Sequence, residues 1–466
     1  MLSEGAGRYE EWVRRCCGDV CREDSADLFG ETSLPSELEM QSAWFAGAFG
    51  KTFQTVQGQS VSLRQLGHWN RGAAGPDFSD CAIEVDGELR TGSIEIDPED
   101  QDWERHGHGE NDTFCDVILH VFAATSSGRT FFTRTKDHRE VPQVLLSQVP
   151  EVVGTWARRS LPEAKYGRCG PVLASFSPSE LDALLQAAAQ HRLREKAKKM
   201  RALADWHGLP QVFYQGIAET LGYRANQAAM RILAQRVPLS TVRRMRSEDR
   251  EALFFGVSGF LEEAEFDERD RDTRVYLRSL WDAWWKRKGE WDGMLDLPWQ
   301  RSGSRPANHP HRRLGALGVI TEQWDEWWSV FPADKGSSGE SWARDVESFF
   351  LRLDHPYWSH HFTLKSEPVE AKMALLGKER VRDLLGNWLY PWVVDRNPEQ
   401  WDAYVTLPGG KESQILRRAR LRLLGEGAEA VKPFWKQQGL LQIFQDFCLR
   451  DFSDCAACPF PEQAEA

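Results

Sequence analysis

Ser79-Asp-Cys-Ala-Ile-Glu-Val85 and Leu89-Arg-Thr-Gly-Ser-Ile-Glu-Ile96 are two alternating runs separated by Asp86-Gly87-Glu88. Alternation places every second side chain on one face of a strand, and an Asp-Gly pair tolerates the positive φ angles of a tight hairpin turn. The stretch therefore predicts an antiparallel hairpin. Further strands are expected at Cys115 to Ala123 and Arg129 to Thr135, and the period-two pattern begins at Thr52. Ahead of them, Ser36 to Gly50 carries Leu38, Trp44, Phe45, Ala48 and Phe49 behind a serine cap, the pattern of an amphipathic helix. Residues 36–160 thus read as a mixed α/β domain.

Beyond Pro171 the pattern changes to helix after helix. Ser177-Pro-Ser-Glu180 is a capped helix start, and the helix is expected to run to about Leu203. Helices are also expected at Pro210–Leu221, Ala225–Gln235, Glu248–Leu261, Arg271–Lys288, Arg313–Val330, Glu370–Val394, Lys411–Leu424 and Val431–Phe447. No fixed repeat period links them, which excludes a solenoid. The expected organisation is a lead-in at 1–35, the mixed domain at 36–160, an all-helical domain at 161–447 and a cysteine-containing tail at 448–466. The fold class is α/β followed by a larger helical domain.

The 466 residues carry a net charge of -12. The first 150 hold 13 Lys and Arg against 26 Asp and Glu, so the acidic excess lies in the first third of the chain, where it can serve a cation. No run of 18 apolar residues occurs and the N-terminus has no basic, apolar leader, so a membrane partner is not expected and a cytoplasmic location is. Nine cysteines without a leader point to thiols or metal ligands rather than a disulfide framework. The 20 tryptophans, at helical spacings such as Trp281, Trp284 and Trp285 or Trp324, Trp327 and Trp328, are read as helix-packing residues.

Gly75-Pro76-Asp77-Phe78 precedes the hairpin, and Glu95-Ile96-Asp97 ends it. On paired strands Asp77, Glu95 and Asp97 can converge at one end. Such oxygen clusters suit Mg²⁺ or Mn²⁺, which polarise a phosphodiester and acidify a bound water. The arrangement resembles the PD-(D/E)xK nuclease superfamily, whose Asp, hairpin and Glu-x-Lys build a metal site. Asp97 stands in the lysine's place, so His106, His108, Arg105 or Lys136 is the substitute to look for. His106-Gly-His108, read as an extended segment with both imidazoles on one side, and His120 give the region its second ligand type. His120 is read as a core histidine.

Leu66-Gly-His-Trp-Asn70, Gly75 to Phe78, Ser93 to Asp97, Asp102-Trp103, His106 to His108 and Val117 to Val121 together resemble a bacterial family of domains of unknown function, number 2851. Cys169-Gly170, Leu221 to Asn226, Gly256 to Leu261, Arg305 to Asn308 and Gln437 to Leu440 extend the resemblance along the chain. That family typically reads Glu-x-His where this chain has Glu95-Ile96-Asp97.

Cys448-x6-Cys455-x2-Cys458 resembles the first three ligands of the iron–sulfur loop in endonuclease III-like glycosylases, and Cys-x2-Cys also suits Zn²⁺. Cys169 is the remote candidate for the fourth ligand of a zinc or iron–sulfur site. Basic stretches at 192–201, 236–250, 301–313 and 417–422 are candidate phosphate-tracking surfaces, with Arg305, Asn308, Arg312 and Arg313 foremost. The expected activity is metal-dependent phosphodiester cleavage of DNA or RNA by Asp77, Glu95, Asp97, His106 and His108. The alternatives are a non-catalytic nucleic-acid or partner-binding protein and a zinc hydrolase of a non-nucleic substrate.

Overall fold

The structure is a computed structural model that describes residues 4–20, 35–70, 75–126, 132–146, 164–262, 271–291, 297–301, 305–332, 342–449 and 455–465. Seven strands form one mixed sheet: β1 (Thr52–Gln54), β2 (Ser60–Gln65), β3 (His68–Trp69), β4 (Phe78–Val85), β5 (Glu88–Glu99), β6 (Val117–Ala124) and β7 (Gln143–Leu145). The order is β1-β2-β4-β5-β6-β7, with β3 also pairing β4. The β1 to β5 pairings are antiparallel, whereas β5–β6 and β6–β7 are parallel. β6 is buried on both faces, as a central parallel strand requires.

The expected hairpin is β4–β5. Val85 faces Glu88, so the turn is the two residues Asp86 and Gly87, both at positive φ (49° and 91°). Two such residues give the turn twist that matches the strands. Near its start β4 is bulged: Asp80 has φ 54° and the β5 register shifts between Phe78 and Cys81. The extra residue leaves both Phe78 and Cys81 in the core. The strand expected at 129–135 falls partly on residues outside the described set; beyond them, Arg134 makes a single bridge to Glu140.

Helix α1 (Glu4–Val20) occupies much of the expected lead-in, and its Tyr9 is buried, donating to Asp446 at 2.9 Å. An early helix reads as a tail when its apolar partner lies hundreds of residues away. Helix α2 (Glu37–Phe45) starts at a complete capping box between Ser36 and Glu39 and packs on β5. The short α3 (Asp102–Arg105) follows β5. Then come α4 (Gly170–Ser175), α5 (Pro178–His207), α6 (Leu209–Leu221) and α7 (Tyr223–Arg236), with helices continuing to the C-terminus.

The stretch expected as one helix over Arg313–Val330 is two, Pro310–Glu322 and Trp324–Val330, broken at Gln323. The helix expected over Glu370–Val394 begins only at Lys378 and passes through a π-turn at Leu385–Leu389. Apolar periodicity continues through both places, but it does not register a change in hydrogen-bonding step. Trp284, Trp324 and Trp327 are buried as read, whereas Trp285 is exposed and stacks on Trp281.

The boundary expected at 160 lies outside the described residues. On either side of it the apolar core is continuous: Met40, Trp44 and Ile94 belong to the same cluster as Phe213, Leu233 and Trp324. Ser42 of α2 donates to Gln235 of α7 at 2.7 Å within it. Among the described residues no helix is long and apolar enough to cross a membrane.

Two glycines separate backbone strain from steric closure. Gly67 has φ 80°, and an added Cβ would lie 2.2 Å from the Ser79 carbonyl; Gly87 has φ 91° and open space around it. Gly87→Ala is expected to cost about 1 kcal/mol. Gly67→Ala is expected to cost about 3 kcal/mol or more, because the β3–β4 contact must open. Urea midpoints of the two variants test the ranking, and equal losses would contradict it.

Candidate functional site

β5 turns Ile94 and Ile96 to the core and Glu95 and Asp97 to the opposite face, where both are buried. Asp77 stands just before β4. Its main-chain N–H donates to Glu95 Oε2 at 3.0 Å, while its own Oδ2 accepts the Ile96 N–H at 2.9 Å. The two carboxylates thus grip each other's strand. The remaining oxygens face inward: Asp77 Oδ1 accepts from the Gln41 amide, and Glu95 Oε1 lies 3.2 Å from His108 Nε2.

Asp97 is held from below by a relay. Gln143 Nε2 donates to Thr133 Oγ1 at 3.0 Å, Thr133 Oγ1 meets His120 Nδ1 at 2.6 Å, and His120 Nε2 meets Asp97 Oδ2 at 3.2 Å. The carboxylate sets the direction: Asp97 accepts from Nε2–H, which leaves Nδ1 to accept from the Thr133 hydroxyl. His120 is fully buried and is, as read, a core residue, but one that orients a site carboxylate.

His106 Nδ1 approaches the other Asp97 oxygen at 3.4 Å. His106 caps α3 and His108 opens a short 3-10 turn, with Gly107 between them at φ 72°. The His-x-His segment is therefore a helical corner, correcting the expected extended segment. The left-handed glycine brings the two rings to 5.4 Å between centroids. His108 stacks on Phe114 at 4.0 Å, above a floor that includes Trp103. Ligand atoms of Asp97, His106 and His108 all lie within 4.8 Å of one another.

Of the substitutes considered for the lysine, Lys136 pairs with Asp112 at 2.8 Å and Arg105 with Asp102 at 2.8 Å. The two imidazoles are in place and the two cations are engaged elsewhere.

Three further residues join the site. Glu37 and Gln41 lie one turn apart on α2, and Gln41 Nε2 donates to Glu37 Oε1 at 2.7 Å as well as to Asp77. Gln41 cannot flip, because its Oε1 accepts from Trp69 Nε1 at 3.2 Å and from Arg236 Nη2 at 3.0 Å. Arg236, at the end of α7, lies over the Trp69 ring at 4.5 Å. Burial brings its guanidinium down to about 10 against the opposing pull of Asp77 and Glu37. The period-four pair on the helix after Ser36 was a usable sign of Glu37 and Gln41; Arg236 opens the basic stretch 236–250, but nothing local places it beside the carboxylates.

The electrostatics follow from crowding. Burial, then the neighbouring Glu95 and Glu37, raise the Asp77 carboxyl well above its ordinary range. Burial, then Asp97, do the same to Glu95, and Glu37 is raised by partial burial and Asp97. Burial lowers the His108 imidazole, favouring its neutral, ligating form. A divalent cation would offset the raised carboxyls of Asp77, Glu95 and Glu37.

The basic-surface reading fails for Arg312 and Arg313. Both are buried, donating to the carbonyls of Trp358 at 3.0 Å and Leu375 at 2.8 Å, and are interior struts unavailable to phosphates. Arg305 is exposed, and Asn308 accepts from Arg313 at 3.3 Å. The four thiols of Cys169, Cys448, Cys455 and Cys458 line one small cavity.

Fold and site define a protein in which a helix-backed mixed sheet presents a carboxylate and imidazole cluster beside an extensive helical region. The chain belongs to the DUF2851 family, described as proteins of unknown function, whose profile matches residues 37–405. The match begins at Glu37 and includes every carboxylate and imidazole of the cluster, but stops short of the last three cavity cysteines. Comparison with curated proteins returns no match. Comparison with solved structures returns none either.

Because folding raises the Asp77 and Glu95 carboxyls, their contribution to stability is fully present below the ordinary carboxylate range and is lost as pH rises through their folded values. Glu95→Gln removes one charge while its amide oxygen can still accept the Asp77 N–H. In chelator-treated protein the variant is expected to melt several degrees above wild type at about pH 8 and to lose that advantage toward about pH 4. Calorimetry across that range checks it, and a variant less stable at the higher pH would contradict it.

Proposed function

We propose that this protein is a divalent-metal-dependent phosphodiesterase acting on DNA or RNA, built on a core related to the PD-(D/E)xK nucleases. The observation that carries this reading is the crowding of Asp77, Glu95 and Asp97, with Glu37 at the rim, on one face of a sheet where no lysine or arginine forms an ion pair with the first three among the described residues. So much uncompensated carboxylate is costly without a cation. The order of helix, antiparallel hairpin and parallel strand, with Asp77 opening β4 and Glu95 on β5, agrees with that superfamily.

Asp77, Glu95 and Asp97 would hold Mg²⁺ or Mn²⁺, and the imidazole neighbours favour Mn²⁺. A bound divalent ion supplies charge neutralisation at the phosphate and a more acidic water. The chain's residues do the rest. His106, exposed at the cluster's edge, is placed to take a proton from the attacking water or return one to the leaving oxygen, the part a lysine would play. His108, kept neutral by burial, fixes the Glu95 oxygen it faces. Gln41, clamped by Trp69 and Arg236, holds Asp77 in its ligating rotamer.

A second reading has one specific observation in its favour. Asp97, His106 and His108 alone make a three-ligand set of the type that binds catalytic Zn²⁺ with an open fourth position. The two readings differ in which residue the metal needs. Purified protein with Mn²⁺ is expected to cleave single-stranded, double-stranded or branched nucleic acid, with Asp77→Ala and Glu95→Ala slower by about 100-fold or more. His106→Ala should slow cleavage while leaving Mn²⁺ affinity, measured by calorimetry, within roughly tenfold. Absence of cleavage of every substrate, or Asp77→Ala cutting as fast as wild type, overturns the reading. Zinc lost in His106→Ala favours the zinc hydrolase instead.

A further inference from the structure

A second constellation lies in the helical part, and the cleavage chemistry makes no use of it. Cys169 caps the start of α4, Cys448 closes the π-turn that ends the helix from Phe434, and Cys455 and Cys458 precede the last helix, Phe460–Glu465. All four face one cavity, completed by Arg168, Arg422, Phe447 and Phe460. Cys169, Cys448 and Cys458 are buried in an apolar cluster that also holds Tyr9, Leu173 and Phe460 and is separate from the main core. The chain ends are drawn together there from opposite termini of the sequence.

Two observations say what the thiols are for. The first is charge. Arg422 is 1% exposed, and its Nη2 donates to Cys455 Sγ at 2.7 Å. A guanidinium hydrogen bond to sulfur is much stronger when the sulfur is a thiolate than when it is a thiol. The second is spacing. Four thiolates on one zinc ion, at bonds of about 2.3 Å, sit only about 3.8 Å from each other in a tetrahedron. Among the described residues, which include all four cysteines, the set of three ligand atoms within 4.8 Å of one another is Asp97, His106 and His108; no three of these thiols approach so closely. They surround a space instead of meeting at a point. A cubane cluster, itself several ångströms across, holds its thiolates at this wider separation, and with four of them it is net anionic, which suits the neighbouring Arg422.

The backbone agrees. Cys455 has φ 79°, a left-handed conformation that a non-glycine residue keeps only when its surroundings hold it there. A Cβ on Gly167 would lie 2.9 Å from the Arg422 carbonyl, which accepts the Gly167 N–H at 2.8 Å. The Cys169 turn is thus pressed against the arginine's helix, and Arg168 reaches over the rim to pair with Glu462 at 2.8 Å.

We propose that Cys169, Cys448, Cys455 and Cys458 bind a [4Fe–4S] cluster that staples the C-terminal segment to the start of the helical region. The cluster closes a loop of nearly 300 residues, and by holding folded but not unfolded chain it stabilises this small second core. Arg422 sits beside it as the countercharge.

The 466-residue chain purified without oxygen is expected to carry about four iron and four acid-labile sulfide per chain, with the broad visible absorbance of a cluster that bleaches on reduction. Cys458→Ser should lose most of that iron, whereas Cys115→Ser, whose thiol lies outside the cavity, should keep it. Iron content of wild-type protein decides the matter even if Cys458→Ser fails to fold. One zinc per chain without iron, or neither metal, overturns the proposal. The readout does not depend on nucleic-acid cleavage or on Asp77.

Discussion

Asp77 and Glu95 each bind the main chain of the other's strand, and the site is built outward from that exchange. It occurs just past the last β4–β5 pair, Phe78 with Ile94, so two side chains supply hydrogen bonds where the backbone ladder ends. One oxygen of each carboxylate is committed to structure. The other is directed into the cluster, toward Gln41 in one case and His108 in the other. Position is gained by hydrogen bonding while carboxylates crowd together in a buried place, and that raises both carboxyls.

The helical region is part of the same device. Arg236 comes from the end of α7 and reaches the carboxylates only through Gln41, whose amide it orients together with Trp69. A direct arginine–carboxylate pair would have neutralised the cluster; an intervening amide passes on orientation without doing so. From below, the relay of Gln143, Thr133 and His120 performs the same service for Asp97. Both supports rest on a core shared by sheet and helices, so the site cannot be separated from the helical part without losing its clamp.

The interior arginines follow from helix packing. Arg250, Arg312, Arg313 and Arg422 are all buried, and Arg250, Arg312 and Arg313 spend their donors on carbonyls at helix ends and loops. A guanidinium can serve several carbonyls at once from a planar fork, which suits it to junctions where helices stop short of one another. In sequence such arginines look the same as a phosphate-binding stripe, because charge pattern carries no information about burial.

Reading the chain from its residues picked out the hairpin, Asp77, Glu95 and Asp97, the two histidines and the three C-terminal cysteines, because each depends on local rules: alternation, a turn dipeptide, short spacings between like residues; Cys169 could be named only as a remote candidate. The turn at Asp86 and Gly87 was legible because positive φ at two successive positions admits few residue types. Glu37, Gln41, Arg236 and the orienting role of His120 were not, nor was the early helix around Tyr9, since each acquires its meaning from a partner distant in sequence. The break at Gln323 and the π-turn at Leu385–Leu389 were invisible because hydrophobic periodicity survives a change in hydrogen-bond step. What the sequence determined by itself was which residues could do chemistry and the strands that carry them. Which charges are buried, which are clamped and which face one another was decided only by tertiary packing, because desolvation and charge proximity exist only once distant segments meet.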